Sequence, residues 1–326
     1  MKIILRILAG IAILLAGILI YVQLTWNKKF EATYPEISAS KDSALIARGR
    51  YLAFGPAHCG SCHVPMDKMR EVENGLEIPL SGGWALTIPP GTFVAPNITP
   101  DTETGIGRLT DGEIARTLRY SIGSDGRCVM PFMPFQGMSD EDLTAVISFL
   151  RSQQPVKFQQ PKSQQPTLLG KVIFSFGLIK PVSPEGQPPK SVAIDSTAEY
   201  GKYLTNYIAN CVGCHTNRDM KTGKFTGTPF AGGLQMEPES PGGNGHMSPN
   251  LTPDASGVLT NWDETTFITR FKKGRVLKDS PMPWGAFSRI NDLELKAIYR
   301  YLKSLDPVEN KVPKTIFLPG EKFPEN

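Results

Sequence analysis

Apolar positions follow two patterns along this chain. The first is a continuous run from Ile7 to Val22, 16 residues without a charged, amide or aliphatic hydroxyl side chain, or roughly 24 Å of helix. Taken from Ile3 to Leu24 the stretch is 22 residues and roughly 33 Å, the reach of a bilayer core if Arg6 turns toward the headgroups. Residues 1–26 are therefore expected to form a membrane-crossing anchor. A cleaved secretory leader is the competing reading, because Lys2 and Arg6 make a basic start; Gln23-Leu24-Thr25-Trp26-Asn27 follows in place of a small-x-small cleavage site. Trp26 beside Lys28 and Lys29 suits a lipid–water boundary.

The second pattern is helical and occurs twice. Leu143, Val146, Ile147 and Leu150 form an i, i+3, i+4, i+7 stripe, and Leu295, Ile298, Tyr299 and Leu302 repeat it 152 residues later. The same offset relates Gly49-Arg50-Tyr51-Leu52 to Gly201-Lys202-Tyr203-Leu204, and Met130-Pro131-Phe132 to Met282-Pro283-Trp284. Pro96-Asn97-Ile98-Thr99-Pro100-Asp101 meets Pro249-Asn250-Leu251-Thr252-Pro253-Asp254 at 153. The chain thus holds two copies of one unit. In each, a helix begins near Asp42 or Ser196, and a closing helix is capped by Ser139 with Asp142 or Asn291 with Glu294. A middle helix follows Thr110, with Glu113 completing a capping box. Gly- and Pro-rich stretches at 82–100 and 227–253 show no dependable strand alternation, so the expected class is all-α. The expected organisation is an anchor at 1–26, units at 40–151 and 197–306, a Pro- and Gln-rich linker at 152–196 and a tail at 307–326. Within the linker, Leu168 to Ile179 is apolar enough to pack between the units or to touch a membrane.

Composition narrows the function. The 326 residues include 35 Lys+Arg against 31 Asp+Glu, a surplus of four with no dense basic run, which excludes a nucleic-acid partner. Five cysteines are too few for a disulfide framework. Four of them lie in Cys59-Gly60-Ser61-Cys62-His63 and Cys211-Val212-Gly213-Cys214-His215, again 152 apart. Cys-x-x-Cys-His is the attachment signature of c-type haem: two thiols bond to the vinyl groups, and the histidine ligates iron. A zinc site needs four clustered ligands, and no histidine lies between His63 and His215. Two covalently bound haem c groups are expected.

The repeat also nominates the second axial ligands. His63 to Met130 and His215 to Met282 are both 67 residues, so Met130 and Met282 are expected to join His63 and His215 on the irons. Met133 is the local rival of Met130, but its partner position is Gly285. His246 and Met247 rival Met282, and their counterparts Phe93 and Val94 cannot bind iron. Histidine with a thioether raises the reduction potential and fills both axial positions, which points to electron transfer without other catalysis. Asn97 and Asn250 are candidate supports for haem propionates, or simply Asx turns. Leu118, Phe132, Phe271 and Trp284 are candidates for the apolar wall, and Trp84 and Trp262 are propionate-side candidates or core. Cys128 is left over: a thiolate ligand or a semi-buried thiol. His58 reads as a surface residue.

These residues resemble di-haem class I c-type cytochromes. Arg48-Gly49-Arg50-Tyr51-Leu52, the Pro-Asn-Ile-Thr-Pro-Asp run with Gly105-Ile106-Gly107, Asp125-Gly126-Arg127 before Met130-Pro131-Phe132, and Met138-Ser139-Asp140-Glu141-Asp142 resemble the cytochrome c subunits of bacterial membrane-bound alcohol and sugar-acid dehydrogenases. Those subunits usually carry three haems, and this chain has two motifs. The resemblance implies two tandem class I cytochrome c domains behind a transmembrane helix, with methionine of the Met-Pro-aromatic run as distal ligand. It also implies haem domains in the periplasm, a single pass of the bacterial inner membrane, and redox partners such as a dehydrogenase, a quinol-oxidising complex or a terminal oxidase. The alternative is a di-haem enzyme of the peroxidase or thiosulfate dehydrogenase type.

Overall fold

A computed structural model describes residues 1–219, 223–238, 242–277 and 279–324. The amino-terminal run forms one helix, α1 (Lys2–Thr25), whose side chains are exposed apart from those of Val22 and, in part, Thr25. It is long and apolar enough to cross a membrane.

The first half follows. Asp42 caps α2 (Ser43–Phe54), its carboxylate accepting from the amides of Ala44 and Leu45. A short α3 (Met69–Glu73) leads to strands β1 (Ala85–Ile88) and β2 (Gly91–Val94). The expected capping box of Thr110 and Glu113 starts α4 (Asp111–Tyr120), and Ser139 caps α5 (Asp140–Ser152). Strand β3 (Gln164–Pro166) and α6 (Leu168–Ser175) come next.

The second half repeats the order. Thr197 caps α7 (Ala198–Tyr203), and α8 (Cys211–Cys214), β4 (Gln235–Met236) and β5 (Gly245–Met247) follow. After them come α9 (Glu264–Lys272), α10 (Trp284–Phe287), α11 (Asp292–Ser304) and β6 (Ile316–Phe317).

In each half the opening helix packs on the closing one, α2 on α5 and α7 on α11. The approach is close enough to demand glycine. A Cβ on Gly49 would run into the Ala145 carbonyl, and one on Gly201 into that of Ala297, at matching points of the two pairs.

Helix accounts for 38% of the chain, but the all-α expectation needs correcting: two antiparallel three-stranded sheets, β1-β2-β3 and β4-β5-β6, sit at equivalent places. Strands of two to four residues carry too little alternation to be read from sequence. They also move the unit boundaries. β3 lies in the supposed linker and β6 in the supposed tail, 152 residues apart. Val156 and Val308, past both closing helices, are likewise tied back into their own halves through Asn97 and Asn250. The repeated unit therefore runs on to about residues 166 and 317, and the connector shrinks to the stretch after Pro166.

The halves meet through one polar cluster within the core. The Arg48 guanidinium donates to Asp142 (Nε to Oδ1, 2.9 Å), to Glu294 (Nη1 to Oε1, 2.9 Å) and to the Tyr200 hydroxyl (3.1 Å). Tyr200 in turn donates to Glu294 at 2.7 Å. Tyr203 donates to Asp142 at 2.8 Å while accepting from the Ser139 amide at 3.0 Å. Tyr51 does the same in reverse, donating to Glu294 and accepting from the Asn291 amide at 3.0 Å. Each half thus uses a tyrosine of its first helix to close the amino terminus of the other half's last helix. Around this cluster run Arg275–Glu73 and Arg289–Glu77 ion pairs at 2.9 and 2.7 Å.

Candidate functional site

The first motif lies on a single turn, Cys59–Ser61, and the second on α8. Each turn is entered through a left-handed residue, His58 (φ 40°) or Asn210 (φ 53°). The His63 amide then donates to the Cys59 carbonyl at 2.9 Å, and that of His215 to Cys211 at 2.8 Å. Helical spacing i, i+3, i+4 puts both thiols and the imidazole on one side of the turn. Among the described residues no disulfide joins the motif cysteines.

The imidazoles are oriented alike. His63 Nδ1 lies 2.8 Å from the Pro96 carbonyl oxygen, and His215 Nδ1 lies 3.0 Å from that of Pro249. A carbonyl only accepts, so Nδ1 carries the proton and Nε2 keeps a free lone pair. Burial lowers the pKa of both rings, which keeps them neutral, the form that binds a metal. These residues fit the haem group that the motifs imply: paired thiols beside a neutral imidazole whose outer hydrogen bond fixes its tautomer.

The loop supplying the carbonyl is itself pinned. Asn97 Oδ1 accepts from the Thr99 amide and hydroxyl at 2.9 and 2.8 Å, and Nδ2 donates to Thr104 Oγ1 and the Val156 carbonyl at 3.1 and 2.8 Å. Asn250 does the same with Thr252, Ser256 and Val308, at 2.9, 2.8, 3.2 and 2.8 Å. Both lone-pair directions and both N–H groups are committed within the protein, and the bonds to the Thr99 and Thr252 amides are those of an Asx turn, so these asparagines staple the Pro96 and Pro249 loops. Gly82 and Gly232, at φ 76° and 74°, let the chain pass against those loops; a Cβ there would lie 2.5 Å from the Pro96 or Pro249 carbonyl carbon.

The methionines differ between halves. Met282 packs on the main core, near the buried pair Phe271 and Trp284, whose rings are 5.7 Å apart. Met130 packs instead on a satellite cluster of Phe93, Cys128 and Phe174, whereas Met133 touches the main core. The backbone keeps the repeat: the Phe132 amide donates to Met130 and the Trp284 amide to Met282, both at 2.8 Å. His246 and Met247 are held in β5, paired to both neighbouring strands. Leu118 and Trp262 pack partly buried on the core, while Phe132 is exposed and meets Phe93 edge-on at 6.0 Å.

Cys128 is buried, and burial pushes its thiol up to about 11. Its thiol donates weakly to the Val129 carbonyl at 3.4 Å. His58 is not a free surface residue: its ring meets Phe287 of the second half at 5.5 Å. Among the described residues, no group of three or more His, Cys, Asp or Glu is placed to hold a metal ion. Sequence reasoning missed the Pro96 and Pro249 carbonyls, although the repeated Pro-Asn run pointed at them, and it missed the Arg48 cluster altogether.

The chain has recognisable relatives. The family model described as Cytochrome c matches residues 198–306. The chain is 30% identical over 284 residues to the cytochrome c subunit of alcohol dehydrogenase (quinone) from Gluconobacter oxydans, covering 82% of this chain and 56% of that protein. It is 28% identical over 295 residues to the fructose dehydrogenase cytochrome subunit of Gluconobacter japonicus, covering 86% of this chain and 56% of that protein. It is 27% identical over 299 residues to a diheme cytochrome c-type protein of Cereibacter sphaeroides, covering 87% of this chain and 93% of that one. The chain thus spans about half the length of these dehydrogenase relatives and nearly all of the diheme protein.

Proposed function

We propose, from the premise that this chain carries a cytochrome c domain and is related to the cytochrome c subunits of alcohol, fructose and gluconate dehydrogenases and to a diheme cytochrome c, that it is a membrane-anchored di-haem electron carrier. The supporting observation is the twofold occurrence of one arrangement, a Cys-x-x-Cys turn with its histidine bonded through Nδ1 to a proline carbonyl. Haem c bound there would supply a one-electron ferric/ferrous couple. Cys59 and Cys62, and Cys211 and Cys214, would hold it covalently; His63 and His215 would ligate through Nε2. Met282 would complete the second centre and, by its repeat position, Met130 the first. Met133 is a second reading for the first centre, favoured by its contact with the main core.

The tandem-domain organisation rests on the parallel element order of the two halves, and the anchor on α1. With α1 crossing the bacterial inner membrane, the haem-bearing halves stand in the periplasm, where covalent haem is attached. The partners are then a dehydrogenase as donor and a soluble or membrane-bound acceptor. The peroxidase alternative lacks a spare histidine in position, since His58 packs on Phe287 and His246 sits in β5.

The test is haem stoichiometry. The pyridine haemochrome of purified protein should give two haems c per chain, with the paired variants Cys59→Ser/Cys62→Ser and Cys211→Ser/Cys214→Ser each lowering the count by one. A single haem, or attachment indifferent to either variant, would overturn the two-centre reading. Purification in mild detergent then identifies the donor by the dehydrogenase that accompanies the chain.

A further inference from the structure

The segment between the repeated units contains a helix that the electron-transfer reading does not use. α6 is welded to the first half at its start, where Thr167 caps it and Gly170 lies so close to the Pro90 carbonyl that a Cβ would collide. Its Phe174 is buried in the satellite cluster. Its far end leans on the last turns of α1: Ser175 Oγ donates to the Val22 carbonyl at 3.2 Å, and Lys171 Nζ donates to Gln23 Oε1 at 3.1 Å. The Phe176 ring meets Tyr21 at 5.6 Å.

What α6 leaves outside is apolar. Leu168, Leu169, Phe176 and Leu178 are 53, 51, 57 and 67% exposed. Four such side chains in eleven residues are costly in water and are the signature of an interaction surface. Their surroundings name the partner. The apolar run of α1 ends at Leu24, and Trp26, Lys28 and Lys29 follow, the sequence of a hydrocarbon edge passing into headgroups. Phe176 stands beside Tyr21, more than one residue inside that edge, while Lys171 reaches Gln23 and the Trp26 ring at its level.

We infer that α6 and the residues to Leu178 form a second membrane contact, a helix lying in the bilayer interface with its apolar side chains among the acyl chains and Lys171 at the phosphates. This rests on the reading of α1 as a membrane anchor. The contact makes the first half lean on the lipid surface instead of swinging from a single helix.

Site-directed spin labelling separates the two claims. In a Cys128→Ala background, nitroxides are placed by Leu14→Cys in α1, by Leu169→Cys and Phe176→Cys on the patch, and by Leu293→Cys at an exposed position of the second half. The haem-loaded full chain is reconstituted into phosphatidylethanolamine–phosphatidylglycerol vesicles, and access to oxygen is compared with access to a water-soluble nickel chelate. The four labelled side chains are exposed, and the one buried replacement, Cys128→Ala, is common to all four samples, so differences between them do not come from it. The expected result is several-fold preference for oxygen at 14, 169 and 176, and for the chelate at 293. Oxygen preference at 14 with chelate preference at both 169 and 176 would overturn the interfacial helix and leave the anchor standing. Chelate preference at 14 would overturn the anchor and this inference with it.

Discussion

Replacing Arg48 by alanine should weaken the molecule far more than loss of an ordinary ion pair. The guanidinium is 16% exposed and its partners less so, Asp142 at 10% and Glu294 at 0%. Burial works against its charge, but the hydrogen bond and charge of Asp142, with Tyr200 and Glu294, outweigh that cost and hold its pKa above the ordinary value. Burial first, and the Glu294 carboxylate next, push the Tyr51 and Tyr200 phenols upward, so both stay protonated donors at neutral pH. Without Arg48, Glu294 keeps two phenol donors and Asp142 one, yet two carboxylates share a dry cluster with no cation. Breaking a buried pair from one side costs about 3–5 kcal/mol, and the remaining phenols place the expectation near the lower end, about 3 kcal/mol. Urea unfolding followed by far-UV circular dichroism reads this as a lower midpoint at unchanged slope. Arg48→Lys should recover little, because one ammonium cannot span Asp142, Glu294 and Tyr200 together. Combining Arg48→Met with Glu294→Gln should be milder than the sum of the two. A loss under about 1 kcal/mol for Arg48→Ala, the scale of an exposed pair, would refute the claim that this cluster joins the halves.

Other consequences can be checked separately. The ferric protein should show a methionine-to-iron charge-transfer band that Met282→Ala halves; Met130→Ala should halve it too, and a full band there, with half lost in Met133→Ala, would reassign the first centre. Asn97→Ala removes four hydrogen bonds and should cost about 1–3 kcal/mol in thermal or urea unfolding and shift the first centre's potential by loosening the Pro96 carbonyl; an unchanged midpoint would contradict the staple. Burial pushes His58 down to about 4 from an ordinary 6.5, so the unfolded chain takes the proton first. Its contribution is then complete above pH 6.5 and fades as pH falls toward 4, and His58→Gln should flatten that part of the pH–stability curve.

The repeat was legible because helices announce themselves twice, by apolar spacing and by caps, and both survive in each half: Ser139 and Asn291, Leu143 and Leu295. The two Cys-x-x-Cys-His turns were legible because their residues are adjacent in sequence. Contacts between sequence-distant backbone groups were not. No local pattern says that the Pro96 carbonyl meets His63, or that Tyr51 reaches across to Glu294, and short strands such as β4 leave no periodicity to detect. The stretch after 152 is a related case: Pro155 and the paired glutamines look like a linker, yet the Val156 carbonyl accepts from Asn97, 59 residues away. Asn97 itself was ambiguous because one side chain serves a turn and a ligand equally well until its partners are counted.

Where the two halves part company is as informative as where they agree. Phe93, Cys128 and Met130 face Phe174 together with Trp26 and Phe30, residues from the connector and from just past α1. Their counterparts at 246, 280 and 282 have no such neighbours: His246 is paired in a sheet with β6, Ser280 accepts from Trp284 Nε1 at 3.1 Å, and Met282 lies on the main core. An apolar thiol suits the first setting and a hydroxyl the second, since a serine among those rings would lose the indole partner it has in the second half. Cys128 thus sits where Trp26, Phe30 and Phe174 surround it, and Ser280 where an indole N–H meets it. The same asymmetry orders the two centres. The first half leans on the end of α1 through the satellite cluster and α6, so with α1 as the proposed anchor it would stand nearer the bilayer than the second half, which is joined to it through the Arg48 cluster.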